Sequence, residues 1–335
     1  MTEKLLQHSV SPATKTRHLV APELAPLVDS FPLIELNADI LKVARQNPIR
    51  DTNWLAPLST EAQAVDCREH WIPGPAGAES VRILVYSPPG APVKRRPAFL
   101  HIHGGGFVRG MPEMSDGTNR GLAADLGCVI VSADYRLAPE TRFPGAVEDC
   151  FAALQWLYDQ AEHLGVDPDR IAIKGESSGG GHAASLAIHA RNRGGRSICL
   201  QLLDSPMLDD RTGSTSDPHP YCGEFVWGPA SNRFAWRALL GVEPGAPEVP
   251  AGAVPARVAD LTCLPPAFII VGALDLFAEE CMEYGRRLVR AGVPTELHVI
   301  AGAFHGFQAG SRDAPQVQAA LRLTRDALAR AFRIT

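Results

Sequence analysis

Gly175-Glu176-Ser177-Ser178-Gly179 is the stretch of this 335-residue chain that constrains the fold most. It directly follows a short β-type run, Ile171–Lys174, and directly precedes a helix-like run of small residues, Gly180–Ala190. A G-x-S-x-G sequence between a strand and a helix is typical of a sharp turn that strains its central residue and exposes the hydroxyl at the helix N-terminus. Ser177 is that central residue, so the motif predicts it as a nucleophile. The plain alternative is an ordinary turn in a chain that contains 30 glycines.

Short β-type runs and helical stretches alternate on both sides of this motif. The first two runs, Val65–Ile72 and Val81–Tyr86, flank a Pro73-Gly74-Pro75 turn and are expected to form an antiparallel hairpin. Most later runs are separated by a helix, as parallel strands require. The predicted fold is therefore α/β, with an eight-stranded, mostly parallel sheet flanked by helices. The other predicted strands are Ala98–His103, Cys128–Asp134, Arg170–Lys174, Ile198–Asp204, Ala267–Gly272 and Glu296–Ile300, and the helices lie near Gly117–Leu126, Ala146–His163, Ser178–Arg193, Leu276–Ala291 and Val317–Phe332.

Two stretches interrupt this alternation. Residues 1–60 are weakly periodic and are expected to form one or two helices that lie on the rest of the molecule. Residues 206–255 are rich in Pro, Gly, Ser and aromatic residues and are long for a connection between strands, although they contain a helical piece, Asn232–Leu240. We predict a catalytic core of residues 61–205 and 256–335, and a small helical cap formed by the two interrupting stretches.

A run of three glycines, His103-Gly104-Gly105-Gly106, ends the predicted strand Ala98–His103. Such a loop can turn backbone N–H groups inward, and acyl transfer needs these donors because the carbonyl oxygen becomes an oxyanion. The alternatives are a flexible turn or a phosphate cradle, but no G-x-G-x-x-G or G-K-[ST] pattern completes a nucleotide site. His101 and His103 share one face of the predicted strand, yet no third metal ligand is indicated. A structural hydrogen-bonding role is therefore favoured for them.

A serine nucleophile needs a base, and the base needs a carboxylate that orients it. His305 lies in Gly302-Ala303-Phe304-His305-Gly306-Phe307, directly after the last predicted strand. Asp275 follows the predicted strand that ends at Gly272 by a short turn. Both residues are thus expected at the carboxyl edge of the sheet with Ser177, where open α/β sheets place their sites. The chain order Ser, Asp, His is the order found in α/β-hydrolases.

With these motifs in place, the chain resembles the hormone-sensitive-lipase-type α/β-hydrolases, a group of bacterial esterases that carry H-G-G-G before G-D-S-A-G. The resemblance covers roughly residues 98–308. The matching stretches are His103–Gly106, Asp134-Tyr135-Arg136-Leu137-Ala138-Pro139-Glu140, Phe143-Pro144, the elbow at 175–179, Asp275 and His305. It implies an α/β-hydrolase fold with a small cap, built from an N-terminal segment and one insertion.

The resemblance also implies roles for six residues of the active site. These are Ser177 as nucleophile, His305 as base, Asp275 as the acid that orients the base, and the backbone N–H groups of Gly105, Gly106 and Ser178 as oxyanion donors. Neither a metal nor a cofactor is expected. Because related esterases often dimerise, the resemblance further suggests a homodimer.

Two departures from the pattern of this group stand out. The elbow has Glu176 and Ser178 where the group most often shows Asp and Ala, but both changes are conservative and Ser178 still supplies a backbone N–H. The acid region reads Gly272-Ala273-Leu274-Asp275-Leu276-Phe277 instead of the commoner D-P-L-x-D, which shifts its aspartate by one residue. Glu279 and Glu280, one turn into the following helix, are the weaker alternatives for the acid.

Aromatic residues near these motifs are candidates for contact with a substrate. Phe107 directly follows the oxyanion loop, and Trp227 lies in the predicted cap. Phe225, Phe234 and Trp236 lie in the same cap region, where packing within the cap is an equally good interpretation. We predict Phe107 and Trp227 as substrate-binding residues.

The composition excludes several classes of protein. Apolar residues make up 45% and charged residues 21%, as is ordinary for globular domains. The net charge of −5, without a basic block, argues against binding to nucleic acid. The longest uncharged apolar stretch, Leu261–Leu274, contains Pro265-Pro266 and is too short to span a bilayer, so stable membrane insertion is not expected. Seven cysteines without a C-x-x-C pair, and no recognisable secretory signal, predict a cytoplasmic protein.

The sequence therefore predicts a carboxylic-ester hydrolase that acts on small-molecule esters, with short to medium acyl chains, through an acyl-enzyme intermediate. Two alternatives stay open at this point. The same three residues can serve an acyltransferase or an amidase. A non-catalytic hydrolase descendant would instead use the pocket only to bind a small molecule, and it would be expected to have lost one of the three.

Overall fold

Eight strands form one sheet in the computed structural model, which describes residues 14–31, 33–48, 57–75, 77–89 and 95–334. The strands are β1 (Asp66–Ile72), β2 (Val81–Ser87), β3 (Arg96–Ile102), β4 (Val129–Asp134), β5 (Val166–Glu176), β6 (Gln201–Asp204), β7 (Ala267–Gly272) and β8 (Thr295–Ile300). Their order across the sheet is β1-β2-β4-β3-β5-β6-β7-β8. β2 is antiparallel to both of its neighbours, and all other pairs are parallel. The predicted eight-stranded, mostly parallel sheet and its initial hairpin are confirmed.

Helices cover both faces of this sheet. The α-helices of the described residues are α1 (Ala25–Ser30), α2 (Ala38–Gln46), α3 (Thr60–Gln63), α4 (Asp116–Leu126), α5 (Gly145–Asp159), α6 (Ala161–Leu164), α7 (Ser178–Asn192), α8 (Pro229–Leu240), α9 (Ala278–Arg290) and α10 (Pro315–Ala331). α5, α7 and α9 pack on one face, and α4 and α10 pack on the other. Strand residues alternate between the two cores, since Leu100 faces the first and Phe99 the second. A strand that is buried on both sides is expected to be apolar throughout, as β3 largely is.

The helices fold as their apolar periodicity dictates. In α9 the buried residues Cys281, Tyr284 and Leu288 recur at the spacing of one helix face, and charged residues occupy the other. Within the described residues, no helix is long and apolar enough to cross a membrane.

Some predicted boundaries differ from those in the structure. β5 begins at Val166 and not at Arg170, because its first residue pairs with Arg96 across an irregularity in the β3–β5 ladder. β3 ends at Ile102, so His103 lies in the loop after the strand. The predicted helix 146–163 is divided into α5 and α6 at Gln160. The extent of β5 depends on its pairing with β3, which local sequence patterns do not specify.

The loops that carry the predicted site residues lie at one edge of the sheet. β3, β5, β7 and β8 are parallel, so their carboxyl ends lie together. The His103–Gly106 loop follows β3, the 175–179 elbow ends β5, Asp275 follows β7, and His305 follows β8.

The N-terminal segment contacts residues 206–255 directly. Ser231 Oγ, in α8, accepts a hydrogen bond from Leu36 N at 2.9 Å. Glu224 Oε2 accepts hydrogen bonds from the backbone N–H and the hydroxyl of Thr16, at 2.9 and 2.6 Å. These contacts agree with a two-part cap, but the division into core and cap stays a prediction. Parts of the predicted cap lie outside the described residues, namely 1–13, 32 and 49–56.

Candidate active site

The turn after β5 holds Ser177 in a strained backbone conformation. Its φ of 55° and ψ of −120° are angles that residues other than glycine rarely adopt. A Cβ atom at Gly175 would lie 2.2 Å from the carbonyl oxygen of Gly179, and one at Gly179 would lie 2.0 Å from that of Ile102. Both glycines are therefore needed for the close approach of β5, α7 and β3. The predicted nucleophile elbow is present, with Ser177 at the N-cap position of α7.

His305 connects Ser177 with Asp275 through two hydrogen bonds. His305 Nε2 lies 3.0 Å from Ser177 Oγ, and His305 Nδ1 lies 2.9 Å from Asp275 Oδ2. Asp275 is fully buried, and His305 is only 8% exposed. A carboxylate at Nδ1 keeps the proton on that nitrogen, which leaves Nε2 free to accept a proton from the serine hydroxyl. The structure thus brings together the three residues that the sequence analysis singled out.

The surroundings of Asp275 fix its orientation. Its Oδ1 accepts a hydrogen bond from Phe277 N at 3.0 Å, and the Phe277 ring packs edge-on against the His305 imidazole with ring centres 5.1 Å apart. Glu280 instead accepts a hydrogen bond from a backbone N–H in the loop after β6, and Glu279 is exposed. Burial raises the pKa of Glu280 well above its usual range. Neither glutamate takes the place of Asp275 beside His305.

The triple-glycine loop packs directly against the elbow. A Cβ atom at Gly104 would lie 3.4 Å from Ser177 Cβ. Gly105 and Gly106 have φ angles of 132° and 64°, and neither donates its backbone N–H to another described residue. Ser178 is the first residue of α7, so its N–H has no acceptor within the helix. The predicted oxyanion donors are therefore unpaired N–H groups in the loop and the helix end that flank Ser177.

The two predicted substrate-binding aromatics differ in their surroundings. The Trp227 ring lies against the oxyanion loop, 2.3 Å from where a Cβ of Gly106 would be, and its centre is 6.4 Å from that of His305. Phe107 is buried, and its ring centre lies 4.8 Å from those of both His182 and Trp236. Phe107 therefore packs inside the core, whereas Trp227 lies at the border of the site. Both substrate contacts stay predictions.

Ser177 and His305 open into a cavity of about 590 Å³, a size suited to a small organic ligand. Small residues of α4 and of the loop after His305 form part of its wall. Several ionisable or amide side chains also line it: Asp125, Lys174, Glu176, Asp204, Gln308 and Arg312. Among the residues that the structure describes, no group of three or more His, Cys, Asp or Glu side chains is arranged to bind a metal.

A buried charged cluster beneath the elbow was not predicted from the sequence. Lys174, only 2% exposed, forms an ion pair with Glu176, whose other oxygen lies 2.9 Å from His101 Nε2. His101 Nδ1 in turn lies 2.7 Å from Ser132 Oγ, so its predicted structural hydrogen-bonding role is confirmed. Burial opposes the charge of Glu176, but His101 and Lys174 hold its pKa below the usual range. The signal that was available was the charged pair Lys174 and Glu176, two residues apart and directly after the apolar run Ile171–Ile173.

In this mostly parallel sheet, a strained serine follows β5, an acid follows β7 and a histidine follows β8, and the histidine is hydrogen-bonded to the other two. This arrangement defines an α/β-hydrolase. The sequence profile of the alpha/beta hydrolase fold matches residues 99–309. The chain belongs to this family, within its hormone-sensitive-lipase-like group. The resemblance drawn from the motifs is thereby confirmed.

Named relatives cover nearly the whole chain. It is 36% identical over 293 residues to Esterase LipI of Mycobacterium tuberculosis, covering 86% of this chain and 88% of that protein. It is 33% identical over 299 residues to Carboxylesterase NlhH of the same species, covering 88% and 90%. Its structure is similar to that of a bacterial heroin esterase, with a TM-score of 0.87, 36% identity, and 95% and 100% of the two chains covered.

Proposed function

We propose that this protein is a serine carboxylesterase, with Ser177 as nucleophile, His305 as general base and Asp275 as the acid that orients the base. The observation that carries the proposal is the continuous hydrogen-bond chain from Ser177 Oγ through both nitrogens of His305 to the buried Asp275. Relatives named as esterases, at 33% and 36% identity, support hydrolysis of esters over other acyl transfers.

The reaction begins when Ser177 Oγ bonds to the ester carbonyl carbon and passes its proton to His305 Nε2. The carbonyl electron pair moves to its oxygen, which becomes an oxyanion. When the tetrahedral intermediate collapses, the bond to the alcohol oxygen breaks, and His305 gives its proton to that oxygen. Alcohol leaves, and the acyl group remains on Ser177.

Water completes the cycle. His305 Nε2 takes a proton from a water molecule as the water oxygen bonds to the acyl carbon. It then gives the proton to Ser177 Oγ as the bond between Ser177 Oγ and the acyl carbon breaks. Asp275 keeps the imidazole in the required tautomer and stabilises its charged form in both steps. The complete cycle converts one ester and one water molecule into a carboxylic acid and an alcohol, and it restores the enzyme.

The backbone N–H groups of Gly105, Gly106 and Ser178 would stabilise the oxyanion in both tetrahedral intermediates. They are unpaired and flank the nucleophile, so they need not break other hydrogen bonds to bind the developing charge. Preformed donors of this kind contribute about two to three orders of magnitude each to the rate.

The size of the cavity beside Ser177 supports the proposal that the substrates are small esters. The cavity volume of about 590 Å³ suits short to medium acyl chains. Trp227, which packs against Gly106 near His305, is the proposed contact that limits their length. The seven cysteines form no disulfide, which supports the proposed location in the reducing cytoplasm. The homodimer suggested by the family resemblance is likewise proposed.

A matched pair of substrates tests this function. Purified protein should hydrolyse an aryl ester of a short acid, such as 4-nitrophenyl butyrate, far faster than the corresponding anilide. Ser177→Ala should abolish the hydrolysis of the ester while circular dichroism remains that of the unchanged chain. Near-normal ester turnover by the folded Ser177→Ala variant would contradict the proposal, and faster cleavage of the anilide would point to an amidase.

A further inference from the structure

Asp204 lies at the carboxyl end of β6, next to the nucleophile elbow. It is the register partner of Glu176, the residue before Ser177, so the two carboxylates occupy neighbouring positions on one face of the sheet. Its side chain is half-buried and lines the catalytic cavity together with Ser177 and His305. The reaction steps described above use neither carboxylate.

Two hydrogen bonds join Asp204 to both halves of the catalytic machinery. Its backbone carbonyl accepts a hydrogen bond from Ser177 N at 2.8 Å. Its Oδ1 accepts one from Gln308 Nε2 at 2.6 Å. Gln308 lies three residues after His305, in the short 3₁₀ helix Phe307–Ala309. Asp204 therefore connects the elbow with the segment that carries the base.

Charged and titratable groups face Asp204 from each element packed around it. Lys174 and Glu176 lie on the adjacent β5, His305 lies in the loop after β8, and the buried thiol of Cys281 lies on α9. Burial raises the pKa of Asp204 to about 7, with Glu176 acting in the same direction and Lys174 against it. Asp204 thus gains or loses its proton in the pH range in which a histidine base works.

We propose that Asp204 is a second, positioning carboxylate of this active site, which holds the His305 segment through Gln308 and whose charge acts on the His305 imidazole across the cavity. The proposal rests on the proposed esterase function. An ionised Asp204 stabilises the protonated imidazole, because opposite charges attract across the cavity. Loss of its charge therefore favours the neutral base at lower pH.

Asp204→Asn isolates the charge, because its amide oxygen can still accept the hydrogen bond from Gln308. We expect the acid limb of kcat/KM to move to lower pH by about half a unit, roughly a threefold gain in relative activity below the midpoint. The limb should also become that of a single ionisation, since coupled groups titrate together in the unchanged protein. Asp313, an exposed carboxylate close to His305 in the sequence, provides the control. Asp313→Asn also removes one negative charge and should leave the acid limb of kcat/KM at its original pH.

Gln308→Met isolates the positioning contact. It removes the donor but keeps a side chain of similar length, so we expect kcat to fall about tenfold with KM nearly unchanged, the loss of one charge-assisted hydrogen bond. Gln308→Glu, which cannot donate to an ionised Asp204, should lose as much kcat at pH 8 and recover part of it at pH 6, where one of the two carboxyls holds a proton.

A nuclear magnetic resonance titration of the His305 imidazole separates this proposal from the esterase function, because it needs no turnover. In the unchanged protein, the chemical shift of the imidazole should show two inflections with pH, one from the imidazole itself and one from Asp204. In Asp204→Asn it should show only one. The unchanged protein alone decides the matter if the variant does not fold. A single inflection in the unchanged protein, or coincident acid limbs with and without the Asp204 charge, would overturn the proposal even if ester hydrolysis is intact.

Discussion

Asp275 is the residue of the catalytic group whose role can be tested most cleanly. It is fully buried and holds His305 Nδ1 at 2.9 Å, so Asp275→Asn keeps the shape but favours the wrong tautomer of the imidazole. We expect kcat for a short-chain aryl ester to fall by about 10⁴ with the fold intact. Glu279→Gln, at the exposed alternative acid, should retain normal activity. A larger loss of kcat in Glu279→Gln than in Asp275→Asn would show that Asp275 is not the acid that orients His305.

At the residue scale, the sequence predicted those side chains that lie in recognisable loops. Ser177, Asp275 and His305 each follow a strand of a parallel sheet, and chain order together with the common carboxyl edge is enough to bring them together. Asp204 and Gln308 could not be found in this way, because their contact depends on the pairing of β5 with β6 and on the turn after His305. Phe107, predicted beside the substrate, has its ring among those of His182 and Trp236.

Among the elements, the junction of β5, α7 and β3 leaves no room for a further side-chain atom at Gly179. A Cβ atom at Gly179 would lie 2.0 Å from the Ile102 carbonyl oxygen and 2.5 Å from that of His103, both of which are backbone atoms. Gly179→Ala should therefore lower the free energy of unfolding by at least about 1–3 kcal/mol, since overpacking cannot be relieved by a side-chain movement. Urea denaturation followed by circular dichroism measures this.

Gly121, inside α4, provides the matched control for that substitution. A Cβ atom there would meet nothing within 4 Å, and alanine is favoured over glycine in a helix interior. Gly121→Ala should raise the free energy of unfolding by about 0.5–1 kcal/mol. Equal effects of the two substitutions would show that close packing at the elbow does not limit stability.

The two stretches predicted to form the cap, residues 1–60 and 206–255, contact each other. α8 and the segment around Leu36 share the hydrogen bond at Ser231, and the aromatic residues Trp227 and Trp236 are both buried. In the parts of these stretches that the structure describes, no residue belongs to a strand of the sheet. Their composition distinguished them from the core in the sequence, but where the boundary between core and cap falls depends on contacts and stays a prediction.

For the whole molecule, two buried histidines make stability depend on pH. Burial lowers the pKa of His103 to about 4 and that of His182 to about 3. The unfolded chain binds these protons near pH 6.5 and the folded chain does not, so their contribution is complete above pH 6.5 and is lost as pH falls toward 4. The free energy of unfolding should fall by about 1 kcal/mol per pH unit for each histidine between pH 6 and 5.

Substitution of one of these histidines checks the sign and the size of the effect. His182→Gln should reduce the slope of unfolding free energy against pH by about 1 kcal/mol per unit. His163→Gln, at an exposed site, should leave the slope unchanged. A stability that rises on acidification from pH 6.5 to 5 would contradict the neutral, buried state of both side chains.

The architecture of the whole molecule was the part that the sequence determined best. Alternation of strands and helices predicts a parallel sheet, and the Pro73–Pro75 turn between two adjacent strands predicts its antiparallel start. Local pattern did not specify that β2 pairs with β4, or that β5 extends back to Val166. Those features arise from long-range pairing, which becomes visible only when the strands are placed side by side.

The most direct test of the account is to trap the covalent intermediate. The protein would be mixed with an excess of 4-nitrophenyl acetate, quenched in acid within the first turnovers, digested, and analysed by mass spectrometry. We predict a single acetyl group on the peptide that contains Ser177, accompanied by a burst of nitrophenol. Turnover with Ser177 unmodified, or with the acetyl group on another residue, would contradict the assignment of Ser177 as the nucleophile.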